Sequence, residues 1–369
     1  MNMRILFHGS VITDNSTGIG RYAGSLLNQY EQMEKPVSVI SHAKIETSLR
    51  NYTYRKMPWY THIPFQLGYT IERIPYTERD IIHYPVHRSE NVSSYVINRK
   101  SKKILTIHDL IPFHTEDPRL ARDQPDIETQ SVWKWALQRY AKKMDAIIAG
   151  SACTKRDIIR YLGVPEEKVH VIYVSANPAF RVKSPKEVAG DVTSLGINRP
   201  YIFYTGGYSP RKNTDMLVRV FRDIQENHNH KYTLVMAGGG FPERYQKYGD
   251  ILSTGHVTTE QLVSLYNGAE FFIYPSLFEG FGVPPLEAMA CGCPVITSNT
   301  SSLPEVVGDA ALTVNPDSVD ALTFAMQSMA EDKGLRASLQ KRGLDRSRQF
   351  RWEKTARETW TIYDDVSST

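Results

Sequence analysis

The chain has 369 residues, 41% of them hydrophobic and 23% charged, with a formal net charge of +4. That length exceeds what one compact core ordinarily holds, so two domains are expected. The charge balance does not demand nucleic acid, three cysteines do not build a disulfide framework, and no apolar run reaches the about 20 residues needed to span a bilayer. Met1 to Gly9 leads almost directly into a strand with no signal-peptide run, so a cytoplasmic protein is expected.

Short apolar runs alternate with amphipathic stretches, the pattern of parallel strands joined by helices. In the first half the pattern predicts strands at 4–8, 37–41, 80–84, 103–108, 146–149 and 169–172, and helices at 20–30, 128–143 and 154–162. The second half restarts it, with strands at 201–205, 233–237, 271–274, 294–298 and 311–314. Its helices are expected at 213–227, 259–267, 285–290, 302–307 and 318–331. Between the halves, 177–199 is rich in Pro, Lys and Ser, lacks periodicity, and reads as a linker. The expected fold is α/β, two Rossmann-like domains facing each other across a deep cleft. Its parts are a first domain at 1–177, a linker at 178–199, a second domain at 200–348 and a terminal helix at 349–369.

The loop Asp14-Asn-Ser-Thr-Gly18-Ile-Gly20 opens the first helix, where backbone N–H groups and the helix dipole attract an anion. It is not a full G-x-G-x-x-G, since Ala23 ends the pattern, and a tight turn without a ligand is the other reading. Aromatic residues follow, Tyr52, Tyr54, Trp59, Tyr60, Phe65 and Tyr69, then Trp133, Trp135 and Tyr140. Such rings stack on sugars or sit at membrane interfaces. The basic run Arg99-Lys100-Ser-Lys102-Lys103 is either a solvated loop edge or a contact for anionic headgroups. His108 ends a buried strand beside Asp109, which is placed to orient its ring.

Thr205-Gly-Gly-Tyr-Ser-Pro-Arg211-Lys212-Asn213 repeats the strand, glycine turn and helix order. Adjacent cations at a helix start oppose the dipole, and a bound pyrophosphate would repair that mismatch. Ala237 to Gly240, and Gly255-His256-Val257 read as a short strand, allow the close backbone approach that a flat base needs. Glu279 and Glu287 are separated by seven residues, the first in a glycine loop after a strand and the second about one turn into a helix opened by Pro284 and Pro285. Both carboxylates would then point into one crevice at a strand's carboxyl end and grip two parts of a hydroxyl-rich molecule. The alternative is a dipole-complementing Glu287 and a solvated Glu279. Trp352, Ala356, Trp360 and Tyr363 share one face of a final amphipathic helix.

On these residues the chain resembles the retaining glycosyltransferases of the family 4 type, which have the GT-B architecture. The resemblance covers essentially the whole chain. Its most specific part is Phe278 to Gly308, the E-x7-E stretch with Ala288-Met-Ala-Cys-Gly-Cys-Pro-Val-Ile-Thr and Leu303-Pro-Glu-Val-Val-Gly308. It implies that Glu279 contacts the donor sugar and Glu287 the ribose. It further implies that the backbone of Gly280, Phe281, Gly282 and Val283 cradles sugar hydroxyls and phosphate, with Val257 on the nucleotide side. His108 would lie near the reacting sugar, Gly18 near the diphosphate, and Arg211 and Lys212 on the leaving group. Where the family often has Gly-Arg, this chain has Gly206-Gly207, so Arg211 is expected to supply the missing charge. The last helix is expected to cross back to the first domain.

The resemblance also implies a front-face retaining route with no metal and no cofactor beyond the nucleotide-sugar co-substrate. GDP-mannose is the favoured donor, ahead of a UDP-hexose and a dTDP-sugar. The implied acceptor is a saccharide or lipid-linked oligosaccharide of bacterial surface polysaccharide, met through peripheral contact with the inner membrane face. A nicotinamide oxidoreductase would need a glycine fingerprint followed by an acid about 20 residues on, and none can be placed. A sugar-nucleotide epimerase or phosphorylase and a non-catalytic nucleotide-sugar binder are the remaining alternatives.

Overall fold

The computed structural model describes residues 4–8, 18–41, 53–56, 80–86, 101–121, 127–198, 200–228 and 232–368. Asp14 to Thr17, Tyr52, Trp59, Tyr60, Phe65, Tyr69, Arg99 and Lys100 lie outside those residues. The chain forms two units, one of Met1–Phe113, Pro125–Val174 and Arg351–Thr369, the other of His114–Gln124 and Ser175–Phe350.

The first unit holds a parallel sheet of order β3-β2-β1-β4-β5-β6-β7. Its strands are β1 Arg4–His8, β2 Val37–Ser41, β3 Thr53–Lys56, β4 Asp80–Tyr84, β5 Lys102–Ile107, β6 Ala146–Ala149 and β7 Val169–Val171. Every side chain of β6 is buried, as are five of the six in β5. That is why these runs are apolar without alternation: both sheet faces are covered. Leu6, Ile82, Leu105, Ile107, Leu137 and Ile147 are among the residues of its core.

The second unit holds β8 Tyr201–Thr205, β9 Thr233–Ala237, β10 Ile251–Gly255, β11 Phe271–Tyr274, β12 Val295–Ser298 and β13 Leu312–Val314. Their order is β10-β9-β8-β11-β12-β13, again all parallel. The strand order reverses between β8 and β11, so the loops leaving those two strands diverge and open a crevice at their carboxyl ends. Thr205 to Asn213 and Pro275 to Gly282 are those loops.

Several expectations are corrected. The stretch 177–199, read as a linker without periodicity, contains a helix, Pro185–Ser194. Ser184 caps it, its amide and hydroxyl both donating to Glu187 Oε2 (2.8 and 2.7 Å), Pro185 fits the first turn, and Val188 is buried. The helix packs against helix Thr259–Gly268 of the same unit. The strand before His256 is Ile251–Gly255, which ends where a strand at 255–257 was expected to begin. Helix Lys333–Ser347, capped by the Asp332 side chain, and edge strand β3 were not anticipated. The segment His114–Gln124 groups with the second unit although it lies within the first half of the chain.

The C-terminal helix Trp352–Ser368 packs on helix Gly18–Gln32 within the first unit. Beneath it runs a buried polar chain. Tyr30 donates to the Tyr363 hydroxyl (3.1 Å), Tyr363 lies 2.6 Å from His83 Nδ1, and His83 Nε2 lies 2.8 Å from Thr106 Oγ1. His83 is completely buried, and burial together with nearby His108 lowers its pKa to about 3. The imidazole is therefore neutral and uses both nitrogens in hydrogen bonds.

Candidate functional site

The crevice loops of the second unit are locked together. The Arg211 carbonyl accepts from the Leu277 amide (2.8 Å), and Ser276 Oγ lies 3.2 Å from it. Thr300 Oγ1 donates to the Leu277 carbonyl (2.9 Å) and Ser301 Oγ accepts from the Glu279 amide (3.0 Å). Ser302 Oγ bonds the carbonyls of Glu279 and Phe281 at 2.8 and 2.7 Å. The loop around Glu279 thus has a fixed path despite its glycines.

Arg211 and Lys212 lie in a 3-10 turn, Pro210–Lys212, closed by Asn213 in the left-handed region with φ 57°. They do not begin the helix, which starts at Thr214. The expected mismatch between two cations and a helix dipole is met inside the chain by Glu279. Arg211 Nη1 and Lys212 Nζ each lie 2.7 Å from its Oε1, Ser276 Oγ donates at 2.7 Å, and the Tyr274 hydroxyl at 3.0 Å. Arg211 Nη1 also donates to the Phe278 carbonyl at 2.7 Å. Burial alone would raise the Glu279 carboxyl, but Lys212, Arg211 and the hydrogen bonds outweigh it and hold its pKa down at about 2. Its side chain remains 13% exposed, and among the described residues every hydrogen bond to this carboxylate falls on Oε1. None of these bonds falls on Oε2. The reading of Glu279 as a solvated loop residue is thereby corrected.

Glu287 lies within helix Val283–Ala290, is 4% exposed, and accepts from the Tyr266 hydroxyl at 3.3 Å. Gly282 precedes that helix with φ 114°, and a Cβ there would stand 2.9 Å from Leu303 Cδ2. Gly280 is half-buried, Phe281 is buried with its ring against Phe350, and Val283 is the first helical residue. At the neighbouring strand end, Gly207 and Gly238 pack backbone to backbone. A Cβ on Gly207 would meet the Gly239 carbonyl at 3.0 Å, and one on Gly238 would meet the Gly207 nitrogen at 2.5 Å. The absence of arginine at 207 therefore has a steric reason in this chain. His256 and Val257 follow β10, and a Cβ on Gly239 would lie 3.0 Å from the His256 ring.

Residues that sequence reasoning missed also border this site. Tyr274 supplies a hydroxyl and a ring face to Lys212, with Nζ 4.7 Å from the ring centroid. The His114 ring packs at a tilt against Phe278 (centroids 4.3 Å apart, 47°), and Arg119 bridges Asp117 and Asp317 in the segment beside Pro210–Lys212. The only signal for Tyr274 was its place as the last residue of a strand ending at the crevice.

In the first unit, Gly18 opens helix Gly18–Gln32 and His108 follows β5. His108 Nε2 donates to the Pro85 carbonyl (2.9 Å) and its ring meets Tyr22 edge-on at 4.8 Å. Asp109 instead accepts from the Ile111 amide at 3.2 Å, so it is Pro85 that orients the imidazole. Burial lowers the His108 pKa below the usual histidine value, which keeps the ring neutral with Nδ1 as its acceptor.

Each unit is a parallel sheet of this kind, and the second sets a carboxylate and two cations at the carboxyl ends of β8 and β11. Two family models match the chain in tandem, Glycosyltransferase Family 4 over residues 16–180 and Glycosyl transferases group 1 over residues 191–346. The chain belongs to the glycosyltransferases of this family 4 type and has their GT-B fold. It is 26% identical to O-antigen chain mannosyltransferase B of Escherichia coli, over 98% of this chain and 99% of that one. It is 29% identical to the serotype-specific mannosyltransferase WbdA of Escherichia coli over 73% of this chain and 34% of that larger one. Among solved structures, sucrose-phosphate synthase of Thermosynechococcus elongatus superposes with a TM-score of 0.74, 18% identity and full coverage of both chains. Anabaena HepE, in complex with UDP and glucose, matches with the same TM-score at 17% identity, again over all of both chains. Among the described residues no helix is long and apolar enough to cross a membrane.

Proposed function

We propose that this glycosyltransferase moves mannose from GDP-mannose, with retention, onto a saccharide or lipid-linked oligosaccharide of a bacterial surface polysaccharide. The observation that supports mannose as the sugar, and surface polysaccharide as the setting, is the likeness to O-antigen chain mannosyltransferase B over nearly the full length of both chains. A UDP-hexose and then a dTDP-sugar rank behind it as donors. In the reaction the bond from the sugar anomeric carbon to the diphosphate oxygen breaks and a bond from that carbon to the acceptor oxygen forms on the same face. The acceptor proton passes to the departing diphosphate. Lys212 and Arg211 stabilise the charge that develops on the leaving group. Glu279 Oε2 accepts from a sugar hydroxyl, and Glu287 serves the ribose. Gly207, Val257 and the backbone of Gly280, Phe281, Gly282 and Val283 complete the donor site. Gly18 and His108 of the first unit are assigned to the diphosphate and the reacting sugar.

Release of GDP, UDP or dTDP across a panel of sugar nucleotides tests the assignment, and turnover confined to a donor other than GDP-mannose would replace it. The cations take the place that a divalent metal fills in other transferases, so turnover is expected to be unchanged by EDTA. Strict dependence on added Mg²⁺ would overturn that part.

Peripheral membrane contact is proposed through the first unit. On helix Ile127–Ala141, Trp135 is 59% exposed with Arg139 over its ring at 5.7 Å. Lys143 lies over Tyr140 at 5.6 Å nearby, and neither cation pairs with a carboxylate among the described residues. Exposed tryptophan with unpaired cations suits an anionic headgroup layer. The protein is expected to sediment with vesicles containing anionic lipid at low salt and not with neutral vesicles. Failure to sediment with either would refute the contact.

A further inference from the structure

Tyr274 closes β11 with its whole side chain buried, yet its hydroxyl reaches the two charged groups of the crevice. It accepts from Lys212 Nζ and donates to Glu279 Oε1 at 3.0 Å. The ring stacks on Tyr204 of β8 (6.3 Å, 24°) and Phe272 of β11 (5.8 Å, 23°), so the platform is anchored in two adjacent strands. Burial foremost, then the Glu279 charge, raise its pKa well above the usual tyrosine value, so the hydroxyl keeps its proton. Lysine, by contrast, is a point charge on a flexible four-carbon stem that fixes no direction by itself.

We propose that Tyr274 is a positioning residue: its hydroxyl gives the Lys212 ammonium a second anchor beside its ion pair with Glu279 Oε1 and so fixes where the ammonium stands for the donor diphosphate. Glu279 Oε1 already receives Arg211 and Ser276 at 2.7 Å each. Without the phenol the ammonium would lose that anchor and be free to pivot about its Glu279 contact. The role rests on the donor-site reading above, in which Lys212 meets the leaving group.

Tyr274→Phe removes one oxygen and keeps the stacked ring, and its melting temperature verifies the fold. Calorimetric titration with GDP and with GMP, on this variant, Lys212→Ala and the double variant, separates the possibilities. Tyr274→Phe is expected to weaken GDP by about tenfold, the scale of one lost hydrogen bond to a charged group, and to leave GMP affinity unchanged. In the Lys212→Ala background the same change should cost nothing further, because the two act as one unit. Turnover at saturating donor should fall while the acceptor KM stays constant. Equal weakening of GDP and GMP, or additive losses in the double variant, would reduce Tyr274 to a structural role. If Lys212→Ala loses GDP and Tyr274→Phe does not, only the Tyr274 assignment fails. If Lys212→Ala keeps full GDP affinity, the donor-site reading fails with it.

Discussion

Replacing Lys212 by alanine is expected to lower kcat/KM for the donor by about 100-fold or more, the scale seen when one preorganised charge-stabilising group is removed from a transition state. Lys212 is one of two cations on Glu279 Oε1, and the turn that carries it is tied to the Glu279 loop through the Arg211 carbonyl. Its deletion therefore removes a charge and leaves the carboxylate in place, held by Arg211, Ser276 and Tyr274. Affinity for the nucleoside diphosphate should fall with activity. Glu279→Gln keeps shape and removes charge, so it should impair turnover more than nucleotide affinity. Glu287→Ala should weaken the nucleoside portion itself, GMP included. Nucleotide affinity unchanged in both Lys212→Ala and Glu287→Ala would remove the site assignment.

Acidification should destabilise the first unit before it affects the Glu279 site. His83 is neutral in the folded protein because burial lowers its pKa to about 3. In the unfolded chain it titrates near the usual histidine value, so between about pH 6.5 and 3 the unfolded state binds the extra proton. Stability is then complete above that window and is lost as pH falls through it, on the order of 5 kcal/mol in total. The Glu279 pairs enter their own window only near pH 4.5, the ordinary carboxyl value at which the unfolded chain takes up the proton, and it runs down to about 2, where the folded carboxyl does. All five tryptophans lie in the first unit, so their fluorescence in urea reports on it selectively. Unfolding midpoints should drop between pH 7 and pH 4.5 in the native chain, and His83→Asn should flatten that slope at a lower baseline. A native midpoint independent of pH over this range would contradict the buried neutral histidine.

The two βα arrays were legible because each strand carries its own evidence, an apolar run buried on both sheet faces. Glu279 and Glu287 stood out for a similar local reason, a fixed spacing across a glycine loop and a proline helix start. The helix at Pro185–Ser194 was overlooked though Ser184 and Glu187 wrote its cap, because lysine and proline around them hid a short apolar face. Other relations had no local trace. Asp109 looked like the partner of His108, yet the ring donates to Pro85, 23 residues earlier, which β4 brings alongside β5. His83 carried no mark of its role, since its partner Tyr363 is 280 residues away.

From the sequence alone came the elements, the doubly wound class and the short list of charged residues at strand ends, all encoded within a few residues by periodicity, capping and glycine placement. Only the tertiary structure decided that Arg211 and Lys212 share one oxygen of Glu279, that Tyr274 stands beneath them, and that His83 is sealed under the last helix. Those pairings exist because parallel crossovers set β8 beside β11 and β4 beside β5. In such sheets the neighbours in space are set by how whole units wind, which no short stretch of chain records.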